Sequence, residues 1–362
     1  MNGEYLLSNH TTDAVEQNAD QFAGLTDVEF QAAILPSVSR TFALTIRQLP
    51  TELRQTVTIA YLLCRIADTI EDDMALSSSQ IAEQQGQFLA AINDKLDPET
   101  FARTTVALLS NSTSAAERLL VANTSRVLTG YGTLSKPVKT AMWRCIERMS
   151  SGMAEYKQRE KRLGLRNLED LNRYCFVVAG VVGEMLTELF SDYSADIRHN
   201  KAKMMALSAS FGQGLQMTNI LKDIWDDLER NTCWLPIDLF ERHGYDLDKL
   251  SPTFNRERFS NGLNELVGIA HSHLRNALTY TLCIPKSEKK IRTFCIWSIE
   301  FAILTLQKIA KQPNFTSGDA VKIGRTQLLT IIATSKLAIK SNGASRMLFE
   351  YSAHRLPLAP LK

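Results

Sequence analysis

The 362-residue sequence contains no CxxC pair and no HExxH, and its six cysteines, Cys64, Cys145, Cys175, Cys233, Cys283 and Cys295, are spread along the chain. That spacing excludes a zinc ribbon, a thioredoxin-like redox centre and a disulfide framework, and the cysteines read as buried thiols in a reducing cytosol. Six histidines are present, and the one close pair, His271 and His273, diverges on a helix, so a zinc site is not expected. The formal net charge of +2 leaves no basic surplus to hold nucleic acid, so any anion must be captured locally. Neither a P-loop nor a GxGxxG occurs, which excludes phosphate capture by a glycine-rich backbone. No uninterrupted apolar run reaches the roughly 18 residues that a bilayer crossing needs. The best candidate, Leu328 to Ile339, is short and broken by threonines and Lys336. Residues Met1 to Gln21 are polar, with neither a basic start nor an apolar stretch behind it, and read as a frayed tail rather than a signal peptide.

With 44% hydrophobic residues the chain can bury a large core. Apolar residues recur at helical spacing in Leu53 to Ile70, Ile81 to Ile92, Ala115 to Leu128, Val138 to Tyr156, Leu168 to Phe190, Met204 to Leu228, Phe259 to Leu282, Ile291 to Ala310 and Thr326 to Ile339. Strand-like alternation is nearly absent. Breaks fall at Asp97-Pro98, Gly130 to Pro137, Gly164, Asn231 to Pro236, Ser251-Pro252, Pro285 and Gln312-Pro313, none long enough for a linker. The expected architecture is all-α: one domain over residues 26–345, of roughly ten helices, between tails at 1–25 and 346–362. So large a single helical domain suggests helices wrapped around a central apolar cavity.

Chemistry concentrates in two acidic stripes. In CRIADTIEDD, residues 64 to 73, helical spacing puts Tyr61, Arg65, Asp68 and Asp72 on one stripe while Glu71 and Asp73 point further round. An isolated acidic cluster usually marks a solvated helix end. Here a second one follows: QMTNILKDIWDD, residues 216 to 227, aligns Gly212, Gln216, Asn219, Asp223 and Asp227 on another apolar helix. Carboxylates gathered inside a bundle repel, and some must protonate unless a divalent cation compensates them. Oxygen-only ligands at this spacing suit Mg²⁺, which shares its shell with water and substrate phosphates. Facing each other, such stripes would drive departure of a diphosphate from an allylic carbon.

Four segments then become specific: SRTF at 39 to 42, YLLCRIADTIEDD at 61 to 73, YCFVVAGVVG at 174 to 183 and QMTNILKDIWDD at 216 to 227. In order and approximate spacing they resemble the squalene and phytoene synthase family over about residues 35 to 340. The resemblance implies an isoprenoid synthase fold, with Asp68 and Asp72 as one metal-binding pair and Asp223 and Asp227 as the other. Gln216 and Asn219 complete the second polar wall, with Asn219 among the metal ligands. Ser39, Arg40 and Arg65 match positions that hold diphosphate, which suits bidentate guanidinium contacts, and Tyr61 shares the first stripe as a substrate contact. Tyr174 matches a tyrosine placed close to the reacting carbons. Val177, Val178, Val181 and Met185 share its apolar face, while Ala179 and Gly183 lie opposite and would admit a neighbouring helix closely. The basic stretch from Lys157 to Arg166 reads either as a lid that attracts diphosphate or as a solvated face.

Within the family, FCIWSIEFAILTL at 294 to 306 resembles the segment that squalene-forming members associate with their reductive second step. VKIGR at 321 to 325 resembles a basic segment used near NADPH, with Lys322 and Arg325 as phosphate contacts. Ser298 and Ile299 stand where eukaryotic members carry Pro-Gln, and Phe294, Trp297, Phe301 and Thr305 also fit an ordinary core face. The implied reaction joins two farnesyl diphosphates head to head into presqualene diphosphate, then reduces it with NADPH to squalene. A non-reductive sibling making presqualene diphosphate, dehydrosqualene or phytoene is the alternative, and a catalytically silent helical scaffold is the reading from another class. Mg²⁺ and NADPH are the implied cofactors. A cytoplasmic monomer of bacterial type, without a membrane anchor and with peripheral contact at the inner membrane face, is the expected form.

Overall fold

Local sequence explains where several helices start. Asp97 caps the amide of Thr100 at 2.9 Å with Pro98 at the first helical position, so a pair that reads as a break is a helix beginning. Thr26, Ser77 and Ser114 each close a capping box with the Glu or Gln three residues on. The computed structural model describes Phe22, residues 24–158 and residues 164–361. Most of the expected N-terminal tail and residues 159–163 of the expected lid therefore lie outside the described residues.

Contacts group the chain into two units. The first comprises residues up to Arg47 with Thr51–Gln158. It contains α1 (Asp27–Val38), α2 (Arg40–Ile46), α3 (Thr51–Asp72), α4 (Ser78–Ile92), α5 (Pro98–Leu108), α6 (Ala115–Ala122), α7 (Thr124–Gly132) and α8 (Lys136–Gln158). Helix α3 is its axis, packing on α1, α4, α6, α7 and α8. Leu62, Leu63, Ile66 and Ile70 of α3 are fully buried, and each such side chain contributes about 1.5–3 kcal/mol.

The second unit comprises Gln48–Pro50 and the chain beyond residue 158. It holds α9 (Leu168–Cys175), a π-helical turn (Phe176–Gly180), α10 (Val181–Tyr193), α11 (Ala195–His199), α12 (Lys201–Lys222), α13 (Ile224–Glu229) and α14 (Ile237–Arg242). After these come a 3₁₀ turn (Leu247–Lys249), α15 (Arg256–Cys283), α16 (Lys289–Lys311), a second 3₁₀ turn (Gly318–Val321), α17 (Arg325–Ala338) and α18 (Asn342–Ser352). Its axis is α12, which packs on α9, the π turn, α10, α11, α15 and α16. The boundary expected at residue 345 falls inside α18, whose Phe349 is fully buried. The only extended pairing among the described residues is one isolated bridge, Leu165 to Pro236. The expectation of an all-α chain is borne out.

Two of the expected continuous helices are interrupted. The apolar run from Leu168 to Phe190 changes register through the π turn at Phe176–Gly180, because 3.6-residue periodicity does not register one extra residue in a turn. The run from Met204 to Leu228 breaks at Asp223, which leaves α-helical geometry (φ −100°, ψ 13°) between α12 and α13. Hydrogen bonds still cross that break, from the Asp223 amide to the Asn219 carbonyl (2.9 Å) and from the Asp227 amide to the Asp223 carbonyl (2.8 Å).

By length and composition alone, two described helical stretches suffice to cross a membrane, Leu168–Tyr193 and Lys289–Lys311. In their most apolar windows, 56% and 72% of the residues are buried inside the protein, as in the core helices of a globular chain. The stretch singled out in the sequence, Leu328 to Ile339, forms most of the shorter helix α17.

Candidate active site

The first acidic motif rides on α3, the central helix of its unit, and the second starts on α12 and runs across the break at Asp223 into α13. On α3, Tyr61, Arg65 and Asp68 are half-buried and Asp72 is exposed at the helix end. The Tyr61 ring packs on Phe42 of the SRTF segment, 5.4 Å between centroids. Burial pushes the Tyr61 hydroxyl up to about 12, against the opposing pull of Arg65 and a hydrogen bond with Ser39. Ser39 also caps α2 by accepting the Phe42 amide at 3.2 Å. Ser39, Tyr61 and Arg65 are thus brought to one place, while Arg40 is exposed on the first turn of α2.

Arg65 reaches Asp68 on its own helix at 3.8 Å and pairs directly with Glu117 on α6. Burial opposes the Arg65 charge, but the carboxylates of Asp68 and Glu117 prevail and hold it above its ordinary value. Burial alone would likewise raise Glu117, yet Arg65 and the Ser114 hydrogen bonds hold it low. Asp68 goes the other way: burial lifts it to about 7, and Asp72 and Glu117 add repulsion that Arg65 only partly offsets. Asp73 is committed to structure, accepting from the amides of Ala75 (2.9 Å) and Ser110 (2.7 Å) and the Thr113 hydroxyl (2.6 Å). Glu71 is buried and Asp73 is engaged with the Ser110–Thr113 segment, while Asp68 lies half-buried and Asp72 exposed on the stripe.

On the second unit, Gln216 is half-buried and Asn219 exposed on α12, Asp223 sits at the break, and Asp227 lies in the first turn of α13. Trp225, buried against Phe259 (5.5 Å) and Phe315 (6.5 Å), anchors this short helix. Burial raises Asp223, with Lys222, 3.0 Å away, pulling it back and Asp226 pushing it up. The turn that begins at Gly318 packs directly on these acids: a Cβ there would lie 2.8 Å from both Asp223 Oδ1 and Asp226 Oδ2. Gly318 therefore brings the VKIGR segment against the acidic motif, and Lys322 falls within electrostatic reach of Asp223. Lys322 is exposed and paired with Asp319, the Lys308 ammonium donates to the Lys322 carbonyl, and Arg325 is exposed at the first residue of α17. Lys308 is thereby held beside Lys322.

Tyr174 is buried at the end of α9 and stacks on Trp234, with centroids 3.9 Å apart and planes 10° from parallel. The π turn follows immediately. A Cβ at Gly183 would run into the Ser208 carbonyl, and one at Gly212 into that of Ala179, so α12 approaches here as the small residues suggested. Trp297 and Phe301 of α16 pack against Ile331, Leu328 and Ile332 of α17, and the Trp297 indole donates to Ser335 Oγ at 2.7 Å. That stripe serves as a core face between two helices. His271 and His273 turn to different partners, the Pro357 carbonyl and Ser210 Oγ, each at 2.8 Å.

Three contributors escape a reading of the sequence. Glu117 carries a visible signature, the Ser114-x-x-Glu117 capping box, but nothing in that box reveals its partner Arg65. Trp234 lies in a loop and Gly318 opens a single 3₁₀ turn, neither of which has periodicity. Among the described residues no three His, Cys, Asp or Glu side chains converge as a complete metal cage.

A profile described as Squalene/phytoene synthase matches residues 35–327. The chain is 29% identical over 308 residues to the squalene synthase of Schizosaccharomyces pombe, covering 83% of this chain and 64% of that protein. It is 30% identical to the squalene synthase of Candida albicans, over 84% of this chain and 66% of that one. The chain thus spans slightly less than two thirds of the length of these two relatives. Among solved structures, the complex of TcSQS with its ligand E5700 superposes with a TM-score of 0.76 at 25% identity, covering 91% of each chain. A dehydrosqualene synthase bound to a ligand shares the fold, with a TM-score of 0.62 at 19% identity over 87% of this chain and 96% of that one. With its motifs, its all-α isoprenoid synthase fold and a match from residue 35 to 327, the chain belongs to the squalene/phytoene synthase family.

Proposed function

We propose that this chain is a prenyltransferase that condenses two farnesyl diphosphates head to head to presqualene diphosphate and then, with NADPH, forms squalene. The observation that carries the reading is the pair of acidic stripes, one on α3 and one running from α12 across its break into α13, with Asp68 and Asp223 both raised by burial. Asp68 and Asp72 on one unit, and Asn219, Asp223 and Asp227 on the other, supply oxygen donors whose burial Arg65 and Lys222 only partly offset, which fits Mg²⁺. When bound, Mg²⁺ neutralises the charge that grows on a departing diphosphate.

The chain's own groups do the rest. Arg65, held by Glu117, and Arg40 orient diphosphate oxygens, with Ser39, Tyr61, Gln216 and Asn219 as further polar contacts. Tyr174, fixed in place by Trp234, acts near the reacting carbons. Apolar helix faces keep water from the carbocations, which would otherwise end as alcohols. Lys322 and Arg325 contact the phosphates of NADPH, which supplies the final hydride. Similarity to squalene synthases at 28–30% identity supports the reductive branch. Ser298 and Ile299 favour keeping the non-reductive alternative as the outcome to exclude. The enzyme works in the cytoplasm with peripheral contact at the membrane, where a product as apolar as squalene must go.

The test is product analysis with farnesyl diphosphate and Mg²⁺, with and without NADPH. Squalene that appears only with NADPH supports the assignment. A product unchanged by NADPH rules out the reductive step and leaves the condensation.

A further inference from the structure

The five large apolar side chains most exposed in the described chain are Leu329 (64%), Leu337 (72%), Met347 (74%), Tyr351 (82%) and Leu358 (62%). All belong to α17, α18 and the segment after them. Helix α17 turns Ile331, Ser335 and Ala338 inward. Leu329, Ala333, Lys336 and Leu337 then fall on the opposite stripe. On α18, Ser345, Phe349 and Ser352 face the core, which leaves Met347 and Tyr351 outward, one turn apart. The two helices pack on each other. The segment beyond is pinned along α15, from the Ala359 amide to the Gly268 carbonyl (3.3 Å) and between the His271 ring and the Pro357 carbonyl (2.8 Å).

Charge on this surface has one sign. From residue 325 to 361 the sequence carries Arg325, Lys336, Lys340, Arg346 and Arg355, all exposed, against a single acid, Glu350. Glu350 is already spent on Arg275, with two hydrogen bonds of 3.0 and 2.7 Å. A second copy of the chain would oppose cations to cations across a two-fold interface, which disfavours self-association. An anionic bilayer supplies both requirements, negative headgroups for the lysines and arginines and an acyl boundary for the leucines, methionine and tyrosine.

We propose that the outer face of α17 and α18, continued by Leu358, seats this protein on an anionic lipid bilayer. The inference deepens the peripheral contact proposed above and rests on that reading, to which it assigns a surface. Apart from Arg325, assigned above to the phosphates of NADPH, none of its residues belongs to the proposed site.

Sedimentation of the 362-residue chain with phosphatidylcholine vesicles, with and without phosphatidylglycerol, tests it. The chain should sediment with phosphatidylglycerol vesicles and be released by salt. Lys336→Glu/Lys340→Glu and Leu337→Ser/Met347→Ser/Tyr351→Ser should each lower the bound fraction about tenfold or more, with melting temperature and product formation in detergent unchanged. Variants that bind like the parent would overturn the assigned surface while leaving peripheral contact standing. A parent chain that ignores both vesicle types overturns both. Variants that change the oligomeric state but not vesicle binding identify a second copy as the occupant and also overturn it. Failure of the prenyltransferase reading would appear separately, as absence of product in detergent.

Discussion

Glu117 on α6 pairs with Arg65 on α3, and the same carboxyl closes the capping box that starts its own helix. One side chain thereby ties the start of a helix to a guanidinium proposed to hold diphosphate. The two roles separate by substitution. Glu117→Gln keeps a side chain able to close the box, since Gln serves at that position, but removes the charge opposite Arg65. Its melting temperature should stay within a degree or two of the parent while kcat/KM for farnesyl diphosphate falls about tenfold, near 1.4 kcal/mol. Glu117→Ala should lose a further ~1 kcal/mol of stability. Equal activity in parent and Glu117→Gln would show the pair to be structural only.

Tyr174 and Trp234 make the second prediction. Their stacked rings are worth about 0.5–1.5 kcal/mol beyond buried area. Tyr174→Phe preserves the stack and removes only the hydroxyl, so turnover should drop with the ring still seated on Trp234. Trp234→Ala should lower both, and rescue of turnover by Trp234→Phe would assign Trp234 to positioning. Chemical denaturation alongside steady-state kinetics separates these outcomes.

A third prediction concerns pH and lies away from the acidic stripes. Burial pushes Glu300 on α16 up to about 7 from 4.5, with the Ser352 hydroxyl pulling the other way. A carboxyl raised on folding contributes stability that is fully present below its unfolded value and is lost as pH rises through the folded one. The parent should therefore melt progressively lower between about pH 5 and 8, and Glu300→Gln should flatten that slope, a difference of up to ~3 kcal/mol at the alkaline end. Parallel curves for the two proteins would show that Glu300 does not set this dependence.

How far the sequence carries can be judged from particular residues. Periodicity locates α3, α8, α15 and α16 to within a few residues, because each has one face buried and the apolar positions report it. It passes over the π turn at Phe176–Gly180 and the break at Asp223, since a one-residue change of register or a local kink leaves the apolar pattern almost intact. It passes over α5 as well, because Asp97-Pro98 serves equally to end one helix or to start the next. The acid spacing on α3 is legible because helix geometry fixes it. Partners supplied by other segments, Glu117 to Arg65, Trp234 to Tyr174 and Gly318 to Asp223, depend on tertiary approach and leave no trace in local spacing.

The raised carboxyls also bear on stability. Asp68, lifted to about 7 by burial and by Asp72, carries an unfavourable charge near neutral pH in the protein without metal. Asp68→Asn should therefore melt no lower than the parent at pH 8 without Mg²⁺, and Mg²⁺ should raise the melting temperature of the parent more than that of the variant. Differential scanning calorimetry with and without Mg²⁺ reads both effects. Identical Mg²⁺ shifts in the two proteins would remove Asp68 from the metal site.

The most direct test of the account is the rate of pyrophosphate release from farnesyl diphosphate in the presence of Mg²⁺, measured for the parent, Asp68→Asn and Asp223→Asn. If both acidic stripes drive ionisation, the parent releases pyrophosphate and each single variant is slowed by a factor on the order of a thousand, with the fold retained. Release at the parental rate by either variant would contradict the claim that both stripes act on the leaving group.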